Sequence, residues 1–400
     1  MSFSKWIILV WAITAGVAQA GDWERWRGPK GDGIAEEKNW KDHWEAPPPE
    51  VWKAQVGTGF SAVTVSKGKV FTLGNKDNKD TVYCLNAANG QTLWQQSYEA
   101  PLEDKFFEGG PTSTPTVDNE VVYTLSRQGE LFCWEVATGK KRWGKNVAEE
   151  AQVRVPGWGF GASPVVVGDL LLLSMGESGT AVKISTGELV WTSADRDAGY
   201  ATPVLFQREK QPCAILASGN AYFAIDVATG EILWRQRWLT RFGCNAADPI
   251  VRGQQVWLSS GYNRGTALLD TAGEQPNVVW ETKELQNQFS SSVLLGEFVY
   301  GFDGNTQDTE TSLKCVVWKT GEVKWKYPWK GMGSLLAANG KLLALSEGGE
   351  LFIAPASENE FKPTTQVSVI DGKCWTMPVL AHSQLYVRNA DGDLKCFNLK

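Results

Sequence analysis

The stretch "AIDVATGEILW", residues 224–234, decides the fold of this chain. The residues up to Asp226 are typical of a strand, Thr229 and Gly230 of a tight turn, and the residues up to Trp234 of a second strand. Trp234 stands four residues after the glycine, and the same spacing recurs along the chain. The stretch therefore predicts a repeated β-hairpin that carries a tryptophan at a fixed distance from its turn.

Copies of this hairpin repeat with a period of about forty to fifty residues. Four keep the Gly-to-Trp spacing, namely "CLNAANGQTLW", "CWEVATGKKRW", "AVKISTGELVW" and "CVVWKTGEVKW". A looser copy, "LLDTAGEQPNVVW", has a longer turn, and "PPPEVWKAQVG" offers the strand without the turn. The tryptophans of the series are Trp52, Trp94, Trp143, Trp191, Trp234, Trp280 and Trp325. A period of this length predicts four-stranded propeller blades.

A second marker, a small or polar residue that usually precedes proline and an apolar strand, occurs eight times. It begins at or beside Ser61, Thr114, Ser163, Thr202, Asp248, Ser292, Ser334 and Thr376. Each marker is followed by strands that we call A, B, C and D, with the tryptophan on strand D. The last unit stops after three strands, so we expect the strand around Trp52 to complete it. The sequence predicts an all-β fold, a single eight-bladed β-propeller over residues 50–400, closed by its N-terminal strand.

The hairpin unit resembles the PQQ-like, or quinoprotein-type, β-propeller repeat, whose members include BamB-like proteins. The resemblance covers residues 50–400 and implies that the seven tryptophans dock flat between neighbouring blades. The seventh unit, "LFIAPASENEFKPTTQV", lacks both the glycine turn and the tryptophan.

The N-terminal residues predict export. Residues 1–20 carry Lys5, an apolar run and a final Ala-Gln-Ala, which is typical of a signal peptide cut after Ala20. The apolar run is shorter than the roughly 20 residues of a membrane-spanning helix, and no cysteine follows it for lipid attachment. We expect a periplasmic or secreted protein that does not span the membrane, with residues 21–49 as a cap over one face of the ring.

Composition limits the chemistry. The net charge of −6 without a basic cluster excludes a nucleic-acid surface. His43 and His382 are the only histidines, so neither a histidine-based zinc site nor a Ser-His-Asp triad is expected. Four of the seven cysteines, Cys84, Cys133, Cys315 and Cys396, fall at one point of strand C in different blades, too far apart to pair. Pairing among Cys213, Cys244 and Cys374 stays open.

The connections from strand D to the next strand A, with the B-to-C turns on the same side, are rich in aromatic and arginine residues. Such residues around the end of a channel are typical of a site for a polar or anionic ligand, or for a protein loop. The predicted ligand-binding residues are Arg127, Arg154, Trp158, Arg241, Asn245, Asp248, Tyr262, Arg264, Trp375 and Arg388.

Two functions are compatible with these patterns. The first is a non-catalytic, monomeric scaffold that binds an extracytoplasmic protein or ligand, as the resemblance to BamB-like proteins implies. The alternative, implied by the quinoprotein resemblance, is a small PQQ-dependent alcohol dehydrogenase with calcium in the central channel. Asp248 is the carboxylate best placed for calcium, but the chain lacks the adjacent cysteine pair of those enzymes. We predict the first function, a binding scaffold, and expect it to use no catalytic residue, metal or cofactor.

Overall fold

A computed structural model describes residues 21–400; the predicted signal peptide lies outside these residues. Within them, the strands form eight antiparallel sheets that follow one another around a ring. The predicted eight-bladed β-propeller is confirmed. No helix of the described part is both long and apolar enough to cross a bilayer.

Blades 1 to 4 each consist of four consecutive strands. In blade 1 they are Thr64–Ser66, Lys69–Lys76, Lys79–Asn86 and Thr92–Glu99. In blade 2 they are Thr116–Asp118, Val121–Leu125, Glu130–Glu135 and Lys141–Asn146. In blade 3 they are Val165–Val167, Leu170–Leu173, Thr180–Lys183 and Leu189–Thr192. In blade 4 they are Val204–Arg208, Gln211–Ala217, Ala221–Asp226 and Ile232–Arg237.

Blades 5 to 7 continue the pattern. Blade 5 has Ile250–Arg252, Gln255–Ser260, Gly265–Asp270 and Asn277–Thr282. Blade 6 has Val293–Leu295, Phe298–Asp303, Thr311–Val317 and Val323–Trp329. Blade 7 has Gly333–Ala338, Lys341–Ser346, Glu350–Pro355 and Thr365–Ser368, and Ile34–Ala35 adds a parallel strand on its inner edge. A helical turn, Val147–Glu150, and a 3-10 turn, Arg241–Gly243, lie in two of the connections.

Blade 8 closes the ring by combining both ends of the chain. Val379–Ala381, Gln384–Arg388 and Asp393–Asn398 are its inner strands, and Glu50–Gln55 pairs antiparallel with the last of them. Trp52 stands opposite Cys396 in this pairing. Ordinary sheet hydrogen bonds thus join the N-terminal strand to the C-terminal blade, which leaves no open end to the array.

The strand C cysteines face the tryptophans of strand D. Cys84 stands opposite Trp94 and Cys315 opposite Trp325, as Cys396 does opposite Trp52. All seven cysteines are free thiols, and burial raises the pKa of each of them, to about 12 for Cys84 and Cys315. These cysteines are small apolar partners of the indole rings rather than reactive groups.

Among the described residues, six of the seven repeat tryptophans, all except Trp234, donate an indole hydrogen bond to the turn of the next blade. Trp94 Nε1 donates to the Val136 carbonyl at 3.0 Å, in the C-to-D turn of blade 2. The equivalent bond is made by Trp52, Trp143, Trp191, Trp280 and Trp325. Gly139 has φ +70°, and a Cβ added there would lie 2.6 Å from the Trp94 ring. Glycine is therefore required at this position for two reasons: the backbone is left-handed, and the Trp94 ring packs where a side chain would lie.

A pair of substitutions separates these two requirements. Gly168, in the A-to-B turn of blade 3, has φ +61° and nothing within 4 Å of an added Cβ. We expect Gly168→Ala to cost about 1 kcal/mol of unfolding free energy from backbone strain alone. Gly139→Ala should cost about 2–4 kcal/mol, because strain and overpacking against Trp94 add. Urea denaturation of both variants checks this, and equal costs would show that the ring contact contributes nothing.

The N-terminal segment bridges the seam that lacks a tryptophan, between blades 7 and 8. The Trp44 amide donates to Thr365 Oγ1 at 2.8 Å in blade 7, and the Lys41 amide donates to the Leu399 carbonyl at 2.6 Å after blade 8. Trp40 and Trp44 are partly buried against the apolar core of these blades. Residues 39–44 thus supply aromatic packing where the repeat does not.

The polar markers at the start of strand A form a chain of hydrogen bonds around the channel. The Ala62 amide donates to Thr114 Oγ1 at 3.1 Å, and the Thr114 amide donates to Ser163 Oγ at 2.9 Å. The same bond then joins Ser163 to Thr202, Thr202 to Asp248, and Asp248 to Ser291. The marker therefore ties blades 1 to 6 to one another in sequence on the inner side of the ring.

Residues 22–37, which we call the N-terminal plug, cross the end of the channel where the A-to-B turns lie. Trp23 exchanges two backbone hydrogen bonds with Val65 of blade 1, and Glu24 accepts from the Val117 amide of blade 2. The plug also contacts Ser292, Ala337 and His382, in or beside the inner strands of blades 6, 7 and 8. This segment therefore occupies one end of the channel and leaves the other end to the loops.

Candidate functional site

The D-to-A connections and the B-to-C turns lie at the end of the ring opposite the plug, and we call this surface the loop face. Aromatic side chains from successive connections meet there. The ring centroids of Phe106 and Trp158 are 6.1 Å apart, those of Trp158 and Phe242 are 6.2 Å apart, and those of Phe242 and Tyr262 are 5.7 Å apart. Tyr200 packs edge-on against Trp158 at 5.7 Å. One aromatic arc thus spans the connections around blades 2 to 5.

A second arc continues around blades 8 and 1. Phe60 stacks on Trp375 at 5.4 Å and packs against Phe107 at 5.6 Å. Trp375 also contacts Phe289 at 4.9 Å. Since Phe106 and Phe107 are adjacent in the chain, the two arcs meet at this pair. The loop face therefore carries a nearly continuous aromatic surface.

Exposure is concentrated in two of these rings. Phe106 is 74% exposed and Phe242 is 58% exposed, and Leu239 beside Phe242 is also exposed. Large apolar side chains grouped on a surface in this way are typical of protein–protein contact sites.

Arg127 supports the loop face from below. It is buried, and its guanidinium donates to the carbonyls of Leu102 at 3.2 Å and Trp158 at 3.2 Å. It pairs with Glu103 at 3.1 Å and lies 5.2 Å from the Phe107 ring. Burial lowers the pKa of Arg127, and Glu103 opposes the change. The residue predicted to bind ligand instead positions the two connections that carry Phe106 and Trp158.

Arg154 and Arg241 are exposed. Arg154 donates to the Asp195 carboxylate at 3.2 Å, so its charge is compensated. Arg241 lies 4.7 Å from the Phe242 ring and, among residues 21–400, takes part in no salt bridge. The exposed cationic charge of the predicted site is therefore confined to Arg241.

Tyr262 and Arg264 lie in the B-to-C turn of blade 5. The Tyr262 hydroxyl accepts from Gln288 Nε2 at 2.7 Å, which fixes its ring against Phe242. Arg264 pairs with Glu281 and lies 3.5 Å from the Trp238 ring centroid. Tyr262 thus belongs to the aromatic surface, and Arg264 packs behind it.

The structure places Asn245 away from any surface. Its side chain is fully buried, with Nδ2 donating to the carbonyls of Ser218 at 2.8 Å and Trp238 at 3.2 Å, and Oδ1 accepting from Ser260. The prediction that Asn245 contacts a ligand is corrected: every side-chain polar atom is used inside the protein.

Arg388 is likewise internal, only 2% exposed in the seam between blades 8 and 1. Its NH1 donates to Ser61 O at 2.7 Å, Thr72 Oγ1 at 2.8 Å and Leu73 O at 2.6 Å, and NH2 donates to Gly57 O at 2.9 Å. Burial lowers the pKa of this guanidinium. Its assignment to a ligand-binding surface is corrected to a role in closing the ring.

Asp248 faces the plug rather than the loop face. Its Oδ2 accepts from Trp26 Nε1 at 2.7 Å and lies 3.7 Å from Arg27 Nε, and Oδ1 accepts from the Thr202 amide at 2.8 Å. Burial raises the pKa of Asp248, and the Arg27 cation opposes the rise. The carboxylate is thus already bound to groups of the protein, which corrects its prediction as a ligand-binding residue.

These contacts bear on pyrroloquinoline quinone with calcium, the alternative raised by the sequence. Calcium takes about six to eight oxygen ligands. Asp248 is already engaged by an indole N–H and a guanidinium, and no group of three or more His, Cys, Asp or Glu side chains converges within residues 21–400. The Arg27 guanidinium, from the plug, takes the place beside this carboxylate that a cation would need. The residues that line the channel therefore do not fit pyrroloquinoline quinone with calcium.

Three residues of the loop face were not predicted from the sequence. Phe60 precedes the first marker, Tyr200 lies in a short polar connection, and Lys373 lies 4.5 Å from the Trp375 ring while pairing with Glu108 at 2.5 Å. Isolated aromatics and lysines in loops carry no periodic signal. Proximity to the markers at Ser61 and Thr202 is the one feature that points to the first two.

Comparison with known proteins identifies a matching family model and two related proteins. A family model described as outer membrane protein assembly factor BamB matches residues 37–113 and 78–327. BamB of Burkholderia pseudomallei is 24% identical over 271 residues, which cover 62% of this chain and 64% of that protein. Tetrathionate hydrolase of Acidithiobacillus ferrooxidans is 22% identical over 233 residues, 54% of this chain and 44% of that protein. The chain thus spans less than two thirds of either relative.

Solved structures share the fold at low identity. BamB from Moraxella catarrhalis superposes with a TM-score of 0.66 at 16% identity, covering 88% of this chain and all of that one. A quinohemoprotein alcohol dehydrogenase from Pseudomonas putida HK5 gives 0.68 at 13% identity, covering 95% of this chain and 80% of that one. At such identities the likeness extends to the propeller alone.

Proposed function

Because the chain belongs to the family of the outer membrane protein assembly factor BamB, we propose that it is a non-catalytic scaffold that binds a partner protein through its loop face. The partner we propose is a component of outer-membrane protein assembly, as the name of the family suggests. The export signal predicted at residues 1–20 supports action outside the cytoplasm.

The exposed aromatic arc of the loop face is the observation that carries this proposal. Phe106 and Phe242 present large apolar surface to solvent, and Trp158 and Tyr262 hold them in a connected row. Aromatic side chains held in this way are typical anchors of protein interfaces.

Charge pairing favours a protein over a small anion as the occupant. Arg127, Arg154 and Arg264 are each paired with a carboxylate. An anion would have to compete with these carboxylates for its cations, whereas a protein surface can use the apolar rings and leave the pairs intact.

Alanine at Trp158 and Phe242 together should reduce capture of the partner by at least about tenfold, because such anchors carry most of an interface's energy. The measurement is capture of outer-membrane assembly proteins from detergent-solubilised membranes of the source organism. The matched control replaces Leu93 and Val279, exposed apolar residues on outer strands of blades 1 and 5, by alanine. Equal capture by the loop-face variant and the wild type would refute the proposal, and so would equal losses in both variants.

A further inference from the structure

A cleft of about 440 Å³ opens beside the aromatic arc, between the B-to-C turn of blade 2 and the connection from blade 2 to blade 3. Gln128 and Glu130 line one side, and Asn146, Glu149 and Val155 line the other. A volume of this size accommodates one or two amino-acid side chains. The cleft is separate from the aromatic contacts on which the proposed function rests.

The charge of the cleft is negative. Glu130, Glu149 and Asp195 contribute carboxylates, and Arg154 is the one cationic residue among those that line it. Arg154 is held by Asp195, with the carboxylate of Asp197 at 3.9 Å. The Glu149 side chain is exposed and, within residues 21–400, forms no ion pair. Glu149 is therefore available to a cation from outside.

Apolar surface borders the cleft on the side of the arc. Val155, which lines the cleft, is exposed, and Trp158 follows it by three residues in the same connection. Phe106 packs edge-on against Trp158. A ligand that places a cation near Glu149 could thus lay apolar groups across Val155 and these rings.

The aromatic rings here are also free of the protein's own cations. Arg127 lies near the Phe107 ring, Arg241 near Phe242 and Lys373 near Trp375, each within 5.2 Å of the ring centroid. In the described part of the chain, no lysine or arginine lies over Phe106 or Trp158. Phe106 and Trp158, which lie on the same loop face as the acidic cleft, therefore have ring faces that remain open to a cation from a partner.

We propose that this cleft binds an extended segment of the partner protein in which lysine or arginine side chains alternate with apolar ones. The basic side chains lie against Glu149 and Glu130, and the apolar ones lie on Val155, Trp158 and Phe106. This inference rests on the proposed function and adds to it the chemistry of the partner segment.

Two fluorescent nonapeptides test the inference on the purified protein. One alternates basic residues with valine and leucine, and the other carries glutamate in place of each basic residue. Fluorescence anisotropy should show binding of the basic peptide at low salt, weaker binding as salt screens the charges, and no binding of the acidic peptide.

Glu149→Lys should weaken binding of the basic peptide by at least about tenfold, and Glu149→Gln should weaken it less. Phe106→Ala should weaken it by about threefold through loss of ring contact. The matched control is Glu120→Lys, an exposed glutamate in the A-to-B turn of blade 2 at the opposite end of the ring, which should bind as the wild type does.

Equal binding of both peptides, or equal affinity of Glu149→Lys and the wild type, would overturn the inference. In that event, partner capture that still depends on Trp158 and Phe242 would leave the proposed function standing. Loss of that dependence would remove the proposed function as well, so the two failures are distinguishable.

Discussion

Asp248→Ala should lower the free energy of unfolding by about 3–5 kcal/mol, because it removes one partner of a buried ion pair. Arg27 is 3% exposed and would retain its charge next to an alanine. The Thr202 amide and the Trp26 indole N–H would also lose their acceptor. The substitution therefore breaks the hydrogen-bonded chain of the inner ring and releases the plug at the same position.

Equilibrium denaturation in urea measures this effect, with Asp248→Asn as the matched variant. The amide oxygen can still accept from Thr202, so asparagine should cost less than alanine. Increased protease cleavage within residues 22–37 should accompany both substitutions, since Asp248 anchors the plug. A cost below about 1 kcal/mol for alanine would show that the buried pair contributes little.

The pH dependence of the unfolding free energy of Arg27→Met separates the effect of the Arg27 charge on Asp248 from other contributions. Without the cation, the pKa of the Asp248 carboxyl should rise further above its value in the unfolded chain. A raised folded-state pKa means that the folded protein binds the proton more tightly, so protonation relieves the destabilisation. The stability deficit of the variant relative to the wild type should therefore shrink as the pH falls from about 7 to about 5. A stability deficit that does not change with pH would show that the Arg27 charge does not affect protonation of Asp248.

Arg388→Met should lower the free energy of unfolding by about 2–4 kcal/mol, because the carbonyls of Gly57, Ser61 and Leu73 lose a donor inside the seam that closes the ring. Methionine retains most of the side-chain volume, so the loss reports the hydrogen bonds rather than a cavity. No carboxylate pairs with Arg388 in the described structure, so removal of its charge leaves no counter-ion unpaired.

Urea denaturation and partner capture together decide the role of Arg388. We expect reduced stability and unchanged capture by the folded variant. Unchanged stability with reduced capture would instead assign Arg388, at the end of strand B of blade 8, to the binding surface. Arg388→Lys should be intermediate, since one ammonium cannot reach all four acceptors.

The repeat made the fold predictable. Gly230 and Trp234, with their copies, correspond to a turn and a ring that recur in most blades. The marker at Thr114 or Ser163 corresponds to a hydrogen bond made on the inner side of the ring. Such requirements recur because the geometry recurs, and they leave a period in the sequence. Closure by the strand around Trp52 followed from the same counting.

The site was less predictable, because a position in a loop does not fix the direction of its side chain. Arg154 and Arg388 both occur in or next to loop-face segments, yet one is exposed and the other lies within a seam. The contact of Arg27 with Asp248 joins residues more than two hundred positions apart. Because it occurs once, it leaves no repeated pattern in the sequence that could predict it. Loop-face residues such as Phe60 are equally unrepeated.

Photo-crosslinking in cells tests whether this propeller uses its loop face to hold a partner protein. A photoreactive amino acid would replace Phe106 or Phe242 on the loop face, and in parallel Lys38, which is exposed beside the plug. We predict adducts with outer-membrane assembly proteins from the two loop-face positions and none from Lys38. Adducts from Lys38 alone, or from none of the three positions, would contradict this use of the loop face.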